Sequence, residues 1–208
     1  MLAELTIADF MARLGSGDAT PGGGGAAALT GAAAAGLVTM VARLTTGRPA
    51  FAAIEDRVRE IIREGDALRQ NLLAAVDTDA AAFEQVMAAY ALPRKTDDEK
   101  AARKAALQPA LQGATESPLA IARSCLVISG MAAELAEAGN PQTITDAGTA
   151  ATLAQAALQG AIFQARVNLK SIKDEAYTGP IRQEIEHLLA ASQEATRRAL
   201  QAVEQKLV

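Results

Sequence analysis

The chain has 208 residues, a formal net charge of −4, 3% aromatic residues, no Trp, one Cys and one His. That length supports one well-packed domain. Basic residues spread along the chain exclude the basic stripe of a nucleic-acid binder, and a lone cysteine, Cys125, excludes an internal disulfide and fits a cytoplasmic protein.

Half of the residues are hydrophobic by type. Ala dominates among them and forms helices at the lowest entropic cost. Period-two runs of β-branched residues are missing, so the expectation is an all-α fold: one domain over 1–208, a bundle of long helices with short connections and no sheet. His187 is the only imidazole, so no metal site of the His/Cys type is expected.

The N-terminal "MLAELTIADFMARL" carries acids within its apolar pattern and reads as a short helix over 7–14, not as a secretory signal. Gly15 and Gly17 end it. Then "TPGGGGAAALTGAAAAGLVTMVARL" (20–44) predicts a helix over 26–45, stopped by Gly47 and Pro49. Phe51, Ile54, Val58, Ile61, Gly65, Leu68, Leu72 and Val76 form one long apolar stripe. Asp79, Phe83, Val86 and Tyr90 continue it as far as Pro93. Thr96 and Glu99 have capping-box spacing. Separate helices are expected through Leu107 and from Pro118 to Ala138, with the charged segment 94–104 as a candidate mobile loop. After "GNPQ" (139–142), a helix capped by Thr143 or Thr145 should reach about Lys173. "YTGP" (177–180) should break it, and a last helix should run from Ile181 to about Leu207.

Residues 20–45 admit several readings. No strand precedes the glycines and no GK[ST] follows them, so neither standard nucleotide cradle fits. Residues 19–42 are uncharged, but Ala and Gly insert poorly into lipid, and a buried helix is preferred to a membrane span. Small residues at Gly22, Ala26, Ala33 and Gly36 let another backbone come close. Four glycines in a row need more than packing, since each costs conformational entropy. A helix start with free N–H groups and no Cβ suits an anionic or oxygen-rich ligand; a tight helix-entry turn is the equal alternative.

"TPGGGG" (20–25) followed by "LTTG" (44–47) resembles the cyclodeaminase domain of formiminotransferase-cyclodeaminase and its single-domain relatives, which include methenyltetrahydrofolate cyclohydrolases. "DTDAAAFEQVMAAYALPRKTDDEKAARKAALQPAL" (77–111), "ESPLAIA" (116–122), "GNPQTITDAGTAA" (139–151) and "VNLKSIKDEAY" (167–177) are similar to further blocks of that family, in the same order, over about residues 5–206. Arg94 departs from a usual Lys and Gln164 from a usual Asn. The resemblance implies a helical bundle, a folate substrate with no cofactor, and a homodimer with its interface near residues 22–45. No nucleic-acid or membrane partner is expected. A chain of this length leaves no room for a formiminotransferase domain and looks more like the cyclohydrolase branch.

On that resemblance, the substrate would be 5,10-methenyltetrahydrofolate, whose N–C–N bridge is cationic. A carboxylate beside that bridge would stabilise the charge and accept a proton from the attacking water. Asp146 is the first candidate, within "TITD"; its alternative role is the acid of a Thr143–Asp146 capping box. Asp79 is the second, with a solvated helix acid as the alternative. Lys170 is a third catalytic candidate, unless it pairs with Asp174 four residues on. Substrate contacts are expected from Pro21, Gly22, Gly23, Gly24, Gly25, Thr45, Arg48, Phe83, Arg94, Asn140 and Asn168. Cys125 and Tyr90 read as core. A helix over 26–44 spans about 28 Å, so the glycines and Arg48 cannot touch the same carbon within one chain; a two-fold partner could supply one end.

Overall fold

A computed structural model describes residues 1–207, and among them there is no strand. Six α-helices follow in order: α1 (Ile7–Leu14), α2 (Gly23–Thr45), α3 (Glu55–Ala91), α4 (Asp97–Ala138), α5 (Ile144–Leu169) and α6 (Glu175–Leu207), with short 3₁₀ turns at Leu2–Glu4, Pro49–Ile54 and Pro141–Thr143. Helices α2, α3, α4 and α5 surround a common core, and α6 lies in the groove between α4 and α5.

Small residues set how closely these helices approach. Gly31 of α2 faces Leu72 and the Cys125 sulfur, and Gly65 of α3 faces the Thr39 hydroxyl. Cys125 is fully buried and burial pushes its thiol up to about 12, so it is an inert core side chain, as the sequence implied. The inward face of α2 is almost all Gly, Ala and Val. Its outer face carries Leu29, Ala33, Leu37, Met40 and Leu44, half-buried or exposed. Both α2 and α4 contain an apolar window long enough to cross a membrane by length and composition, and 61% of each window is buried inside the bundle.

Three boundaries differ from the sequence expectation. Helix α2 begins on the glycines themselves. Helix α4 is continuous through Pro109 and Pro118, and Thr96 with Glu99 forms the expected capping box at its start, so most of 94–104 is helical. Each proline deletes the N–H that would bond the carbonyl four residues back. For Pro118 that carbonyl belongs to Ala114, and the Asn168 side-chain amide donates to it at 2.7 Å. An acceptor freed in one helix is thus satisfied from another. The chain breaks after Leu169 rather than at "YTGP", because the Asp174 carboxylate accepts from the N–H groups of Ala176 and Tyr177 and starts α6 there, with Pro180 inside it.

Burial along α3 and α4 is uneven. Between Val86 on α3 and Leu111 on α4, Ala89 is the only buried residue, so 87–110 form a two-helix arm that reaches beyond the core.

Candidate active site

A cleft of about 290 Å³ opens at the root of that arm. Helix α3 contributes Asp79, Phe83, Val86, Met87 and Tyr90 at three- and four-residue spacing; Leu111 and Ala114 of α4 form the floor. Helix α5 adds Gln164, Val167 and Asn168, with Ser171 beyond its end. Phe83, Met87, Tyr90 and Val167 are each about 40–60% exposed, which leaves an unusual amount of aromatic and aliphatic surface around one acid.

That acid is Asp79. Its carboxylate lies against the first turn of α2, and a Cβ on Gly24 would fall well inside contact distance of both carboxylate oxygens. Gly23 faces Gln164, whose Nε2 would be 2.5 Å from a Cβ there. A side chain at Gly24 would meet the Asp79 carboxylate from α3, whereas at Gly23 it would meet only the flexible end of the Gln164 side chain from α5. Burial holds the Asp79 carboxyl above the ordinary aspartate range, with the Gly25 N–H pulling the other way. A half-buried carboxylate with raised basicity, set among aromatic side chains, can stabilise a cation and take a proton from water.

The expected site residues divide into two groups. Asp79, Phe83 and Asn168 line the cleft; Gly23 and Gly24 lie behind its Gln164 and Asp79 side chains, while Gly22 and Gly25 face the Ala19 carbonyl and the Pro21 and Val76 side chains. Gly24 and Gly25 are buried, as is Pro21, which packs on Gly25; the start of α2 therefore receives Asp79 rather than standing open to a ligand. Asn168 donates its side-chain amide to the Ala114 carbonyl. Arg94 is exposed on the loop after α3, at the same end of the molecule.

Thr45, Arg48, Asn140 and Asp146 lie at the other end. The Asn140 side chain donates to the Leu44 carbonyl at 3.0 Å, and its backbone N–H donates to the Thr45 hydroxyl at 3.1 Å. Thr45 is fully buried and also donates to Val41, so within this chain it is a structural pin and not a ligand contact. Asn140 is likewise buried and accepts from the Gln142 N–H. Asp146 sits half-buried in the first turn of α5, eighteen residues and about 27 Å of helix from Gln164. The capping box expected with Thr143 does not form, because that hydroxyl donates to the Asn140 carbonyl instead. Arg48 is exposed at the start of the 3₁₀ turn after α2.

Lys170 is exposed at the end of α5 and faces α6, beside Arg166 and Arg182, on the side away from the Asp79 cleft. The expected pair with Asp174 is absent, since that carboxylate caps α6. Tyr90 is not core: it forms part of the cleft and is 40% exposed. Gln164, Met87 and Val167 also line the cleft; the sequence marks Gln164 only as a departure from a usual Asn, and Met87 and Val167 lie within the family-like blocks without being singled out. The signal available for Met87 and Tyr90 was the continuation of the Asp79–Phe83 face along α3.

Comparison with known proteins bears on this arrangement. Residues 6–187 match the family described as formiminotransferase-cyclodeaminase. The chain is 40% identical over 207 residues to a methenyltetrahydrofolate cyclohydrolase of Methylorubrum extorquens, covering all of both chains. It is 35% identical over 188 residues to the formimidoyltransferase-cyclodeaminase of Sus scrofa, covering 90% of this chain and 35% of that relative. A solved structure of a formiminotetrahydrofolate cyclodeaminase from Thermotoga maritima superposes over the whole of both chains, with a TM-score of 0.90 at 27% identity. The sequence blocks, the six-helix bundle and these matches agree: this chain belongs to the formiminotransferase-cyclodeaminase family.

Proposed function

We propose that this chain hydrolyses 5,10-methenyltetrahydrofolate to 10-formyltetrahydrofolate in the cleft that holds Asp79. The observation that carries the proposal is the half-buried Asp79 carboxylate, raised in basicity, at one end of a cleft whose wall continues along α3 through Phe83, Met87 and Tyr90. The full-length relative named as a methenyltetrahydrofolate cyclohydrolase supports the choice of reaction. Water adds to the bridge carbon while Asp79 accepts its proton, giving a neutral tetrahedral adduct. The proton then passes from Asp79 to N5 as the C–N5 bond breaks, and the adduct's hydroxyl gives its proton back to Asp79 and on to solvent, leaving the neutral formyl group on N10 and one proton released overall. The same carboxylate stabilises the cation before attack. Phe83 offers a flat apolar face to the ring system, and Gln164 and Asn168 offer polar edges. No cofactor takes part. The enzyme works in the cytoplasm on a small folate, without a nucleic-acid or membrane partner.

The second reading is formiminotetrahydrofolate cyclodeaminase, favoured by the full-length likeness to the Thermotoga maritima structure. There N10 attacks the formimino carbon and ammonia leaves. Loss of the methenyl absorbance, measured beside ammonia release from the formimino compound, separates the two. Methenyl loss no faster than in buffer refutes the cyclohydrolase.

The proposal includes a homodimer through residues 22–45. Helix α2 spans about 33 Å, and its open face (Leu29, Ala33, Leu37, Met40, Leu44) centres near Leu37. Two copies crossing antiparallel at that point bring the end of α2 in one subunit beside Leu29 in the other, within two turns of where α2 begins. Arg48 and Asp146 of the partner subunit then stand near Asp79, uniting the two groups of candidates. A monomer fully active in dilute solution removes this part of the proposal.

A further inference from the structure

Arg103 lies on the stripe of α4 that continues through Leu107 to Leu111 and Ala114, the floor of the cleft. Its Nη2 donates at 2.9 Å to the Tyr90 carbonyl, an acceptor left free where α3 ends at Ala91. The guanidinium carbon stands 5.5 Å from the centre of the Tyr90 ring. Nε is shielded from solvent and has no hydrogen-bond partner. Arg57, Arg123, Arg197 and Arg198 are all held by glutamates. Arg103 is held by a carbonyl and an aromatic face, which fix its position without neutralising its charge. A desolvated donor without an acceptor costs free energy, and here it sits at the outer end of the cleft.

We infer that Arg103 anchors the carboxylate end of the substrate, and this rests on the folate reading above. Asp79 and Tyr90 are eleven residues apart, about 16 Å along α3. Helical side chains lean toward their own N-terminus, so Asp79 and Tyr90 shift together along α3 and keep that separation, while Arg103 leans toward the arm tip, where its Nη2 meets the Tyr90 carbonyl. From the bridge carbon of an extended folate to the α-carboxylate of its glutamate is about 10 Å by standard bond lengths. The remaining gap matches the reach of one carboxylate at the bridge and one guanidinium at the tail. The cleft, at about 290 Å³, takes the ring end of such a molecule, so the benzoyl ring runs along Phe83, Met87 and Tyr90 toward Arg103. A planar guanidinium binds a carboxylate through paired hydrogen bonds, which a lysine ammonium cannot reproduce.

The test compares 5,10-methenyltetrahydrofolate with the methylamide of 5,10-methenyltetrahydropteroate (the pteroate compound), which keeps the benzamide but carries no carboxylate. For Arg103→Gln, KM for the folate should rise roughly 10–100-fold, as expected for losing a charge-assisted carboxylate contact, with kcat changed by less than about twofold. KM for the pteroate compound should not change. Arg103→Lys, which keeps the charge and the stem over Tyr90, should show an intermediate rise on the folate alone, and it serves if the Gln variant fails to fold. Equal effects on both compounds, or none on either, overturn the anchor. If the wild-type protein hydrolyses neither compound, the cyclohydrolase reading falls. Calorimetric binding of the two compounds to wild type and variants then decides the anchor by the same contrast.

Discussion

Gly24→Ala adds one methyl group and tests whether the approach of Asp79 to α2 matters for chemistry. The new Cβ would overlap both carboxylate oxygens. Restoring ordinary contact at about 3.5 Å requires the carboxylate to retreat by roughly 1 Å. A shift of that size in a reacting group costs on the order of 10²-fold in rate, equivalent to about 2.7 kcal/mol of barrier. The same change removes a helical glycine, which by itself stabilises by about 1 kcal/mol at most. Activity should therefore fall by about two orders of magnitude while helix content and melting temperature stay close to wild type. Gly130→Ala is the control: nothing lies within 4 Å of a Cβ there, so stability should hold or improve and activity should not change. The assay is initial-rate loss of methenyl absorbance, beside thermal melts followed by circular dichroism. A folded Gly24→Ala protein with wild-type kcat/KM refutes the argument that Asp79 is the base and that its seat on Gly24 positions it.

Asp79→Asn should lower kcat/KM by about 10²–10⁴-fold, the usual share of a general base. Its effect on stability has the opposite sign. A carboxyl whose folded pKa is raised holds its proton more tightly in the native state, so the wild type loses stability as pH rises from the unfolded value through the folded one. The melting temperature of Asp79→Asn relative to wild type should therefore climb as pH goes from acid to neutral; a flat difference across that range contradicts the burial of Asp79. Asn168→Ala should cost about 1–3 kcal/mol in urea unfolding by orphaning the Ala114 carbonyl. In a Pro118→Ala background the restored N–H takes that carbonyl, so the penalty should shrink by about 1 kcal/mol; additive losses contradict the link.

Much of the bundle was legible because the signals were local. The apolar spacing from Val58 to Val76 identifies α3, and Thr96 with Glu99 marks the start of α4. The expected break between Leu107 and Pro118 failed for a non-local reason, since the acceptor freed by Pro118 is satisfied by Asn168, fifty residues downstream. The glycine run was equally ambiguous. Its composition left a ligand site and a tight helix-entry turn equally open, and the side chains that lie against it, Asp79 and Gln164, come from other helices. Asp146 and Asp79 looked alike as acids within family blocks, and only the course of α5 puts them at opposite ends of the molecule. Arg103 carried no mark in the sequence that set it apart from the solvated charges around it.

The thin burial of residues 87–110 has a consequence for how a ligand gets in. An element with few buried side chains can part from its neighbours at a small fraction of the global unfolding free energy. This one carries Met87, Tyr90 and Arg103, while Asp79, Gln164 and Asn168 are rooted in the densely packed bundle. The reactive end of the cleft is therefore stiff and its outer wall compliant. On the function proposed above, the rigid tricyclic head would meet a fixed carboxylate, and the longer, flexible tail would meet a wall able to part from the bundle and return.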